Sequence, residues 1–562
     1  MRTPLFRAIR KLFLEARRRD FPSASGPSRR EFLGGSLAAA ATLPLLSACK
    51  NDNSQSARIA IVGGGMAGLH CAYRLAEVGL TATIYDAASR VGGRMYSDRM
   101  TFGNQVCELG GELIDSGHAT MRAMATQFGL TLDDFSNDAD NVSAAVGYFD
   151  GKKLTATELL AAFAEVVPSV EASLADINPA NPDDNYVSFE TPQPNGAKYD
   201  DMTVRKWLSD NTSGLAQKLL EVAYTIEYGL ETDQQSALNL LYLIGGDPTK
   251  LELFGDSDEL YHTHLGNDSF ITKLADTLDS NRLVLSHQLL AIKQNTDQSY
   301  ELTFDNSGKT VVITADHVVL ALPFTRLRSV TTNGFAWPVE KKKAIDEIGY
   351  GTNAKLMVGF SSRIWRTQNS NGETFTDEDF QATWETSRGQ DGAAGIITNF
   401  VGGDHGVAIG IGTPESQRDA FLDGFNKLFP GSKATASGKQ ARFHWPTHPQ
   451  TLGSYACYLP GQWRAFGGQE GKAVGNIHFC GEHTSIDFQG FMEGAAETGA
   501  AAAEEIATAL GKSSSALIAG QLVAIGADTR HPSWQIWARA RAIASGAIRR
   551  RRGYRGIGRK RS

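Results

Sequence analysis

Apolar and polar positions along the chain alternate between two periods. Arg58-Ile59-Ala60-Ile61-Val62 is a short β-branched run of the kind that forms a strand buried on both faces. Gly63 to Gly68 follows at once, and Ala67 to Glu77 then carries apolar residues at helical spacing as far as Gly79. Thr81 to Tyr85 predicts a second strand, with Asp86 at its end. Thr157 to Val167 predicts a helix closed by Pro168, and Leu215 to Tyr228 another. Between them, a stretch rich in Pro, Asn and Asp near 177–200 reads as loop. Ala354 to Phe360 and Gly406 to Ile411 alternate like strands. No repeat of about 20–50 residues is visible. No apolar run reaches the roughly 18 residues of a membrane-spanning helix, which excludes a transmembrane bundle.

Composition narrows this further. The 562 residues, 41% hydrophobic and 21% charged, suit a large globular enzyme of two domains as well as three or four average ones. Five cysteines, Cys49, Cys71, Cys107, Cys457 and Cys480, are too few and too scattered for a disulfide framework or a zinc site. Charge is segregated. Residues 1–48 carry nine Lys/Arg against three Asp/Glu, and residues 530–562 carry eleven against none. The overall charge of −7 therefore leaves −24 on the body between those ends. Such a body repels nucleic acid and attracts cationic ligands.

The basic N-terminus has the layout of an export signal. Ser28-Arg29-Arg30-Glu31-Phe32-Leu33 is a twin-arginine pattern, and Leu37 to Leu46 is too short to cross ~30 Å of hydrocarbon. Leu46-Ser47-Ala48-Cys49 resembles a bacterial lipobox, in which Cys49 carries the lipid; ordinary cleavage near Ala48 is the alternative. Residues 1–48 thus read as a Tat-type signal peptide and 49–56 as a tether. The twin-arginine route exports folded protein, which suits a chain that takes up a cofactor before export. The expected location is the periplasm, or a membrane anchor on the outer side of the bacterial inner membrane or in the outer membrane.

Gly63-Gly64-Gly65-Met66-Ala67-Gly68 satisfies GxGxxG between a strand and a helix, and Asp86 stands 18 residues after Gly68. Gly63 makes the turn, Gly65 lets a pyrophosphate approach, and Gly68 allows helix–strand contact. The helix N-terminus at Met66 and Ala67 favours phosphate charge, and Asp86 with Ala87 reaches a ribose.

The next motifs carry a resemblance. Arg90-Val91-Gly92-Gly93-Arg94, Glu108-Leu109-Gly110-Gly111-Glu112, the strand Arg282 to Leu289, His317 to Pro323, and Gly481-Glu482 with Gly490-Phe491-Met492-Glu493 stand in the order found in the flavin amine oxidase superfamily. The likeness spans about residues 57–510. It implies an α/β fold with a discontinuous Rossmann-like FAD-binding domain and a mixed sheet-plus-helix (α+β) substrate domain. The FAD pieces are expected at 57–118, 280–330 and 450–510, the substrate pieces at 119–279 and 331–449, and a basic tail at 511–562. Trp534 and Trp537 precede the tail's arginine run, which reads either as a membrane-surface segment or as a solvated tail. By the same resemblance FAD contacts fall on Gly63, Gly65, Met66, Ala67, Gly68, Asp86, Ala87, Arg94, Gly110, Gly111, Leu289, Gly481, Glu482, Phe491 and Met492.

The implied chemistry is oxidation of a small-molecule amine. Taken alone, Lys355 is a strand residue opposite the apolar face of Ala354, Leu356, Val358 and Phe360. The resemblance makes it the lysine that holds a water at flavin N5, with Ile364-Trp365-Arg366 following as in the family. Tyr455 and Phe491 take the places of the aromatic cage, which favours cationic ligands. Phe491 stands where monoamine oxidases often have Tyr. Ser454 takes the place of the cysteine that bonds to flavin in some members, so FAD is expected to be non-covalent. Asp115 stands where plant polyamine oxidases have an acid facing the channel; capping the helix after His118 is the other reading. His118 itself reads as an exposed loop residue or a polar pocket residue. No arginine follows the second glycine pair, where some amino-acid oxidases hold the substrate carboxylate. The expected reaction converts a primary or secondary amine to imine and then aldehyde, with oxygen as acceptor and hydrogen peroxide as product. L-amino-acid oxidation, or a dehydrogenase or desaturase with another acceptor, is the alternative. No metal is expected.

Overall fold

A computed structural model describes residues 57–137 and 146–512. Two sheets organise them. The first has five parallel strands in the order Ile477–Phe479, His317–Leu320, Ile59–Val62, Ala82–Tyr85 and Leu283–Val284. Ile59–Val62, buried at all four positions, lies at its centre, as expected of a continuous apolar run under helices on both faces. Strands from three distant stretches of chain therefore meet in one sheet, with the glycine loop at its carboxyl edge.

Helix Met66–Glu77 leaves that loop and packs against helix Met492–Ala509. The approach is close: a Cβ at Gly499 would lie 2.3 Å from the Ala67 carbonyl oxygen. Ala496 and Ala503 of the second helix are buried in the same core as Ala67. The helices Ala119–Phe128 and Asp268–Asp276 also bury Met121, Met124, Phe270 and Ile271 in this core. Both lie outside the stretches expected to form the FAD domain.

The second sheet has seven strands, in the order Ala436–His444, Ala354–Phe360, Gly395–Val401, Ala382–Glu385, Thr374–Thr376, Val146–Phe149 and Lys152–Leu154. All pairings are antiparallel except that of 374–376 with 146–149. Val358, Phe360, Ile397 and Val401 pack on one side under the helix Pro414–Leu428, through Phe421, Leu422 and Phe425. Lys355 and Ala382 lie opposite Phe400, and Trp384 opposite Thr398, so these residues share the other face.

Two expectations need correction. Pro168 does not close a helix over 157–167; one helix ends at Ala164, and Pro168 sits in the first turn of the next, Val167–Ile177. A first-turn proline lacks an N–H that would be unpaired there anyway. Gly406–Ile411 is not a strand. Gly403–Ala408 is a short helix after Gly402, and the alternating Val407 and Ile411 are solvent-exposed rather than core.

No described helix is long and apolar enough to cross a membrane. The twin-arginine pattern, Cys49 and the tail beyond Lys512 lie outside the described residues.

Candidate active site

One cavity runs along the carboxyl edge of the parallel sheet and reaches the inner face of the seven-stranded sheet. At its first end stand Gly63, Gly65, Met66, Ala67, Asp86, Ala87 and Leu289. Gly68 does not line it; a Cβ there would meet the Gly63 carbonyl oxygen at 1.9 Å, so Gly68 acts by close backbone packing. Gly65 is the opposite case, because a Cβ there would meet nothing within 4 Å. Gly65 caps helix 66–77 and Phe491 caps helix 492–509, neither with a side-chain hydrogen bond, and both helices start on the cavity wall. Two helix N-termini with uncapped N–H groups facing open space suit a diphosphate. Asp86 accepts from the N–H groups of Gly64 (2.6 Å) and Ala88 (2.7 Å), fixing its carboxyl at the end of its strand. Loss of hydration raises its pKa despite those bonds. These residues fit an FAD-type dinucleotide.

A polar lock closes the middle. Arg94 Nη1 donates to Glu482 Oε1 (2.7 Å) and to the Ser454 carbonyl (2.8 Å), and Glu482 Oε2 accepts from Gly490 N–H (2.9 Å). Glu482 lines the cavity with Gly481, but its carboxylate is engaged by the protein. Gly110 and Gly111 complete this wall without room for side chains: a Cβ would lie 1.8 Å from the Arg94 carbonyl oxygen at one and 2.8 Å from Met492 Cγ at the other. Ser454 donates to Asn353 Oδ1 (2.6 Å). None of the four described cysteines lines the cavity.

Lys355 is not a solvated strand lysine. It lies in a strand buried at every position and donates to Glu112 Oε2 (2.7 Å), the Gly110 carbonyl (2.7 Å) and the Glu108 carbonyl (3.4 Å). Glu112 also accepts from Trp384 Nε1 (2.8 Å) and from the Thr386 hydroxyl. Burial alone would raise the Glu112 pKa; the Lys355 charge, with the hydrogen bonds from Lys355 and Thr386, reverses this and holds it below the usual value.

Tyr455 and Phe491 both line the cavity. The Tyr455 hydroxyl donates to the Ile226 carbonyl (3.2 Å), and burial beside Glu227 pushes its pKa well up. Phe491 packs edge-on against His118 with centroids 5.3 Å apart. His118 is buried, not an exposed loop residue, and desolvation lowers its pKa to about 3. Tyr228, Trp384 and Phe400 add further aromatic wall.

The placement of Asp115 is corrected. It is buried and absent from the cavity wall; its Oδ1 accepts from Glu259 N–H (3.0 Å) and its Oδ2 lies 3.3 Å from His118 Nε2. It does not cap helix 119–128 either: the N-cap is His118, with no side-chain capping bond, and His118 Nδ1 instead accepts from the Asp115 N–H (3.0 Å). The loop 257–259 folds over it and takes its carboxyl. Burial raises its pKa to about 6.

Besides Asp86 and Glu482, the acids that line the cavity are Glu112, Glu227 and Glu259. All three also line a second cavity of about 240 Å³, joined to the first at Leu113, Trp384 and Phe400. Glu259 keeps accessible surface, but that surface is cavity wall; desolvation, with Asp115, Glu373 and Glu227 nearby, holds its pKa well above the usual value. Glu112 stood within a recognised motif without an assigned role. Glu227 and Glu259 carry no local sequence signal, because only the folded loops bring them together.

Comparison with known proteins agrees with this geometry. A family model described as flavin containing amine oxidoreductase matches residues 66–507. An L-amino acid dehydrogenase from Synechocystis is 25% identical over 81% of this chain and 95% of its own length. The pig amine oxidase [flavin-containing] B is 23% identical over 82% of this chain and 88% of its own. Cyclohexylamine oxidase from Brevibacterium oxydans superposes with a TM-score of 0.69 at 21% identity, covering 81% of this chain and all of that one (100%). Putrescine oxidase bound to putrescine gives 0.69 at 19% identity, covering 81% and 99%. These structural likenesses speak to the fold.

Proposed function

The chain belongs to the flavin-containing amine oxidoreductases, FAD enzymes acting on CH–NH2 or CH–NH groups, and from that premise we propose that it oxidises a primary or secondary amine, above all one with a second cationic group. The observation that carries this is the wall where the aromatic residues Tyr228, Trp384, Phe400, Tyr455 and Phe491 meet Glu227 and Glu259. Aromatic faces and carboxylates both favour ammonium ions.

Bound along this wall, FAD would supply the two-electron acceptor for the hydride equivalent leaving the amine α-carbon. The protein's part is placement. Tyr455 and Phe491 flank the reacting end, Glu227 and Glu259 face the distal ammonium, and the buried walls exclude water. Arg94 and Glu482 fix the loops that carry the cofactor-binding backbone. Ser454, hydrogen-bonded to Asn353, supports non-covalent FAD. The imine product hydrolyses to aldehyde and ammonia or a smaller amine, and oxygen is the proposed acceptor, giving hydrogen peroxide. Export by the twin-arginine route, with lipid attachment at Cys49, belongs to the same proposal and rests on Ser28–Leu33 and Leu46–Cys49.

A second reading, oxidation of an L-amino acid with an acceptor other than oxygen, is supported by Arg388 on the wall of the adjoining cavity, where a carboxylate would find a partner. One experiment separates the two. The FAD-loaded protein is titrated anaerobically with monoamines, diamines and L-amino acids while flavin absorbance is followed, then exposed to air and assayed for peroxide. Bleaching by diamines first, with peroxide on reoxidation, supports the proposal. Bleaching by amino acids alone, or reoxidation only by an added dye, replaces it with the second reading.

A further inference from the structure

The geometry points to Glu112 as the positioning residue that keeps Lys355 charged and pinned to the cofactor wall. This rests on the amine-oxidising reading of the cavity. Lys355 has three N–H donors and three protein acceptors: Glu112 Oε2 and the carbonyls of Gly110 and Glu108. Two of these are neutral. Glu112 alone supplies a countercharge, and it is itself oriented by Trp384 and Thr386 from the strand and turn beyond. Glu112 follows directly on Gly110-Gly111, whose lack of side chains lets the backbone meet Arg94 and Met492. The segment that shapes the cofactor wall thus also delivers the carboxylate to the lysine.

The surrounding charges do not replace Glu112. Glu108 points away from Lys355, to His262 (3.1 Å), Ser97 (2.8 Å) and the Asn267 N–H (2.8 Å). Burial would lower the His262 pKa, but its bond to Glu108 and the charges of Glu108 and Glu112 raise it. Cys107 is buried with its thiol pKa pushed far up by desolvation, and so contributes no charge. Glu259 and Glu227 face the cavities, and Lys355 donates to neither. Without Glu112, Lys355 would remain 5% exposed with only carbonyl acceptors, a setting that favours the neutral amine.

The test reads Lys355 through Trp384, whose ring centre lies 5.2 Å from its Nζ and whose N–H is held by Glu112. Emission of the apoprotein is titrated against pH in the wild type, Glu112→Asp, Glu112→Gln and the double variant Glu112→Gln/Lys355→Met, with Trp384→Phe identifying the signal. The expected result is a step in Glu112→Gln that lies about 2 pH units below any step in the wild type. Glu112→Asp restores the wild-type position, and the double variant has no such step. In the FAD-loaded enzyme, the pH profile of anaerobic flavin reduction acquires the same step. A Glu112→Gln titration that coincides with the wild type, or a step that survives Lys355→Met, overturns the assignment. If Glu112→Gln alone does not fold, an equally displaced step in Glu112→Asp overturns it. The apoprotein titration contains no substrate. It fails only if the pairing role is wrong, whereas a flavin bleached by no amine fails the proposed function and leaves the pairing intact.

Discussion

The two sheets build the two ends of one cavity by different means. Along the parallel sheet the wall is mostly backbone: glycines, two helix starts, and an aspartate fixed by N–H groups. Along the seven-stranded sheet the wall is side chains, with a lysine near the start of its strand and a carboxylate from the Gly110-Gly111 segment. A backbone wall tolerates many side chains but no added volume. A side-chain wall tolerates volume but no unpaired charge. Substitutions at the two ends should therefore fail in different ways, and the size of each failure measures the contrast.

The largest effect is expected at Gly68. A Cβ there would sit 1.9 Å from the Gly63 carbonyl oxygen, and neither the helix nor the loop can yield without opening the glycine turn. Gly68→Val should cost about 4 kcal/mol or more and leave a colourless protein. The ratio of flavin absorbance to protein absorbance, with the thermal midpoint, checks this. A yellow, stable variant would show that the backbone wall has slack.

Lys355→Met comes next and probes the other wall. It keeps volume and strands Glu112 in a buried site, which should cost about 3–5 kcal/mol. The cost depends on pH. With Lys355 present, the folded pKa of Glu112 lies below the unfolded value of 4.5, so its contribution is present above that value and lost as pH falls through the folded one. Without Lys355, burial raises the carboxyl, and folding then favours the protonated form. The gap between wild type and variant should widen from about pH 4 to pH 8 in denaturant titrations. A gap independent of pH would mean that Lys355 acts through packing alone.

These two residues also mark what the sequence made legible. The glycine loop, its flanking strand and helix, and Asp86 lie within about thirty residues, so spacing alone carries their geometry. The strand of Lys355 is equally legible, with bounds that match Ala354–Phe360. Its burial is not, because the alternation around it reads the same whether the second face meets water or a charged partner. Glu112 lies 243 residues earlier, and nothing local links the two. Gly406–Ile411 failed for a related reason: small residues (Gly406, Ala408, Gly410) alternating with Val407, Ile409 and Ile411 imitate a strand, while Gly402 and Gly403 start a short helix.

Smaller effects divide the acids. Glu259→Gln removes a cavity-facing carboxyl while keeping its shape. It should lower kcat/KM for a diamine about tenfold, or ~1.4 kcal/mol, with little change for a monoamine. Equal losses for both substrates would assign Glu259 to the shape of its loop.

Asp115→Asn gives the smallest effect and the sharpest contrast, since Asp115 stands three residues from Glu112 in the chain yet outside the cavity. Its ratio of diamine to monoamine kcat/KM should stay within about twofold of the wild type, because ~0.4 kcal/mol is all that a change behind the wall can pass to a ligand in front of it. Its signature is instead in stability. Burial raises the Asp115 carboxyl from 3.8 to about 6. A raised folded pKa contributes stability that is complete below the unfolded value and lost as pH rises through the folded one. Wild-type stability should therefore fall between about pH 4 and pH 6 by an amount that Asp115→Asn lacks, while the amide still accepts from the Glu259 N–H. Denaturant midpoints at pH 4, 5, 6 and 7 for both proteins test this. Parallel curves with an altered diamine preference would return Asp115 to the substrate path and move the boundary between the cavity and its supporting loop.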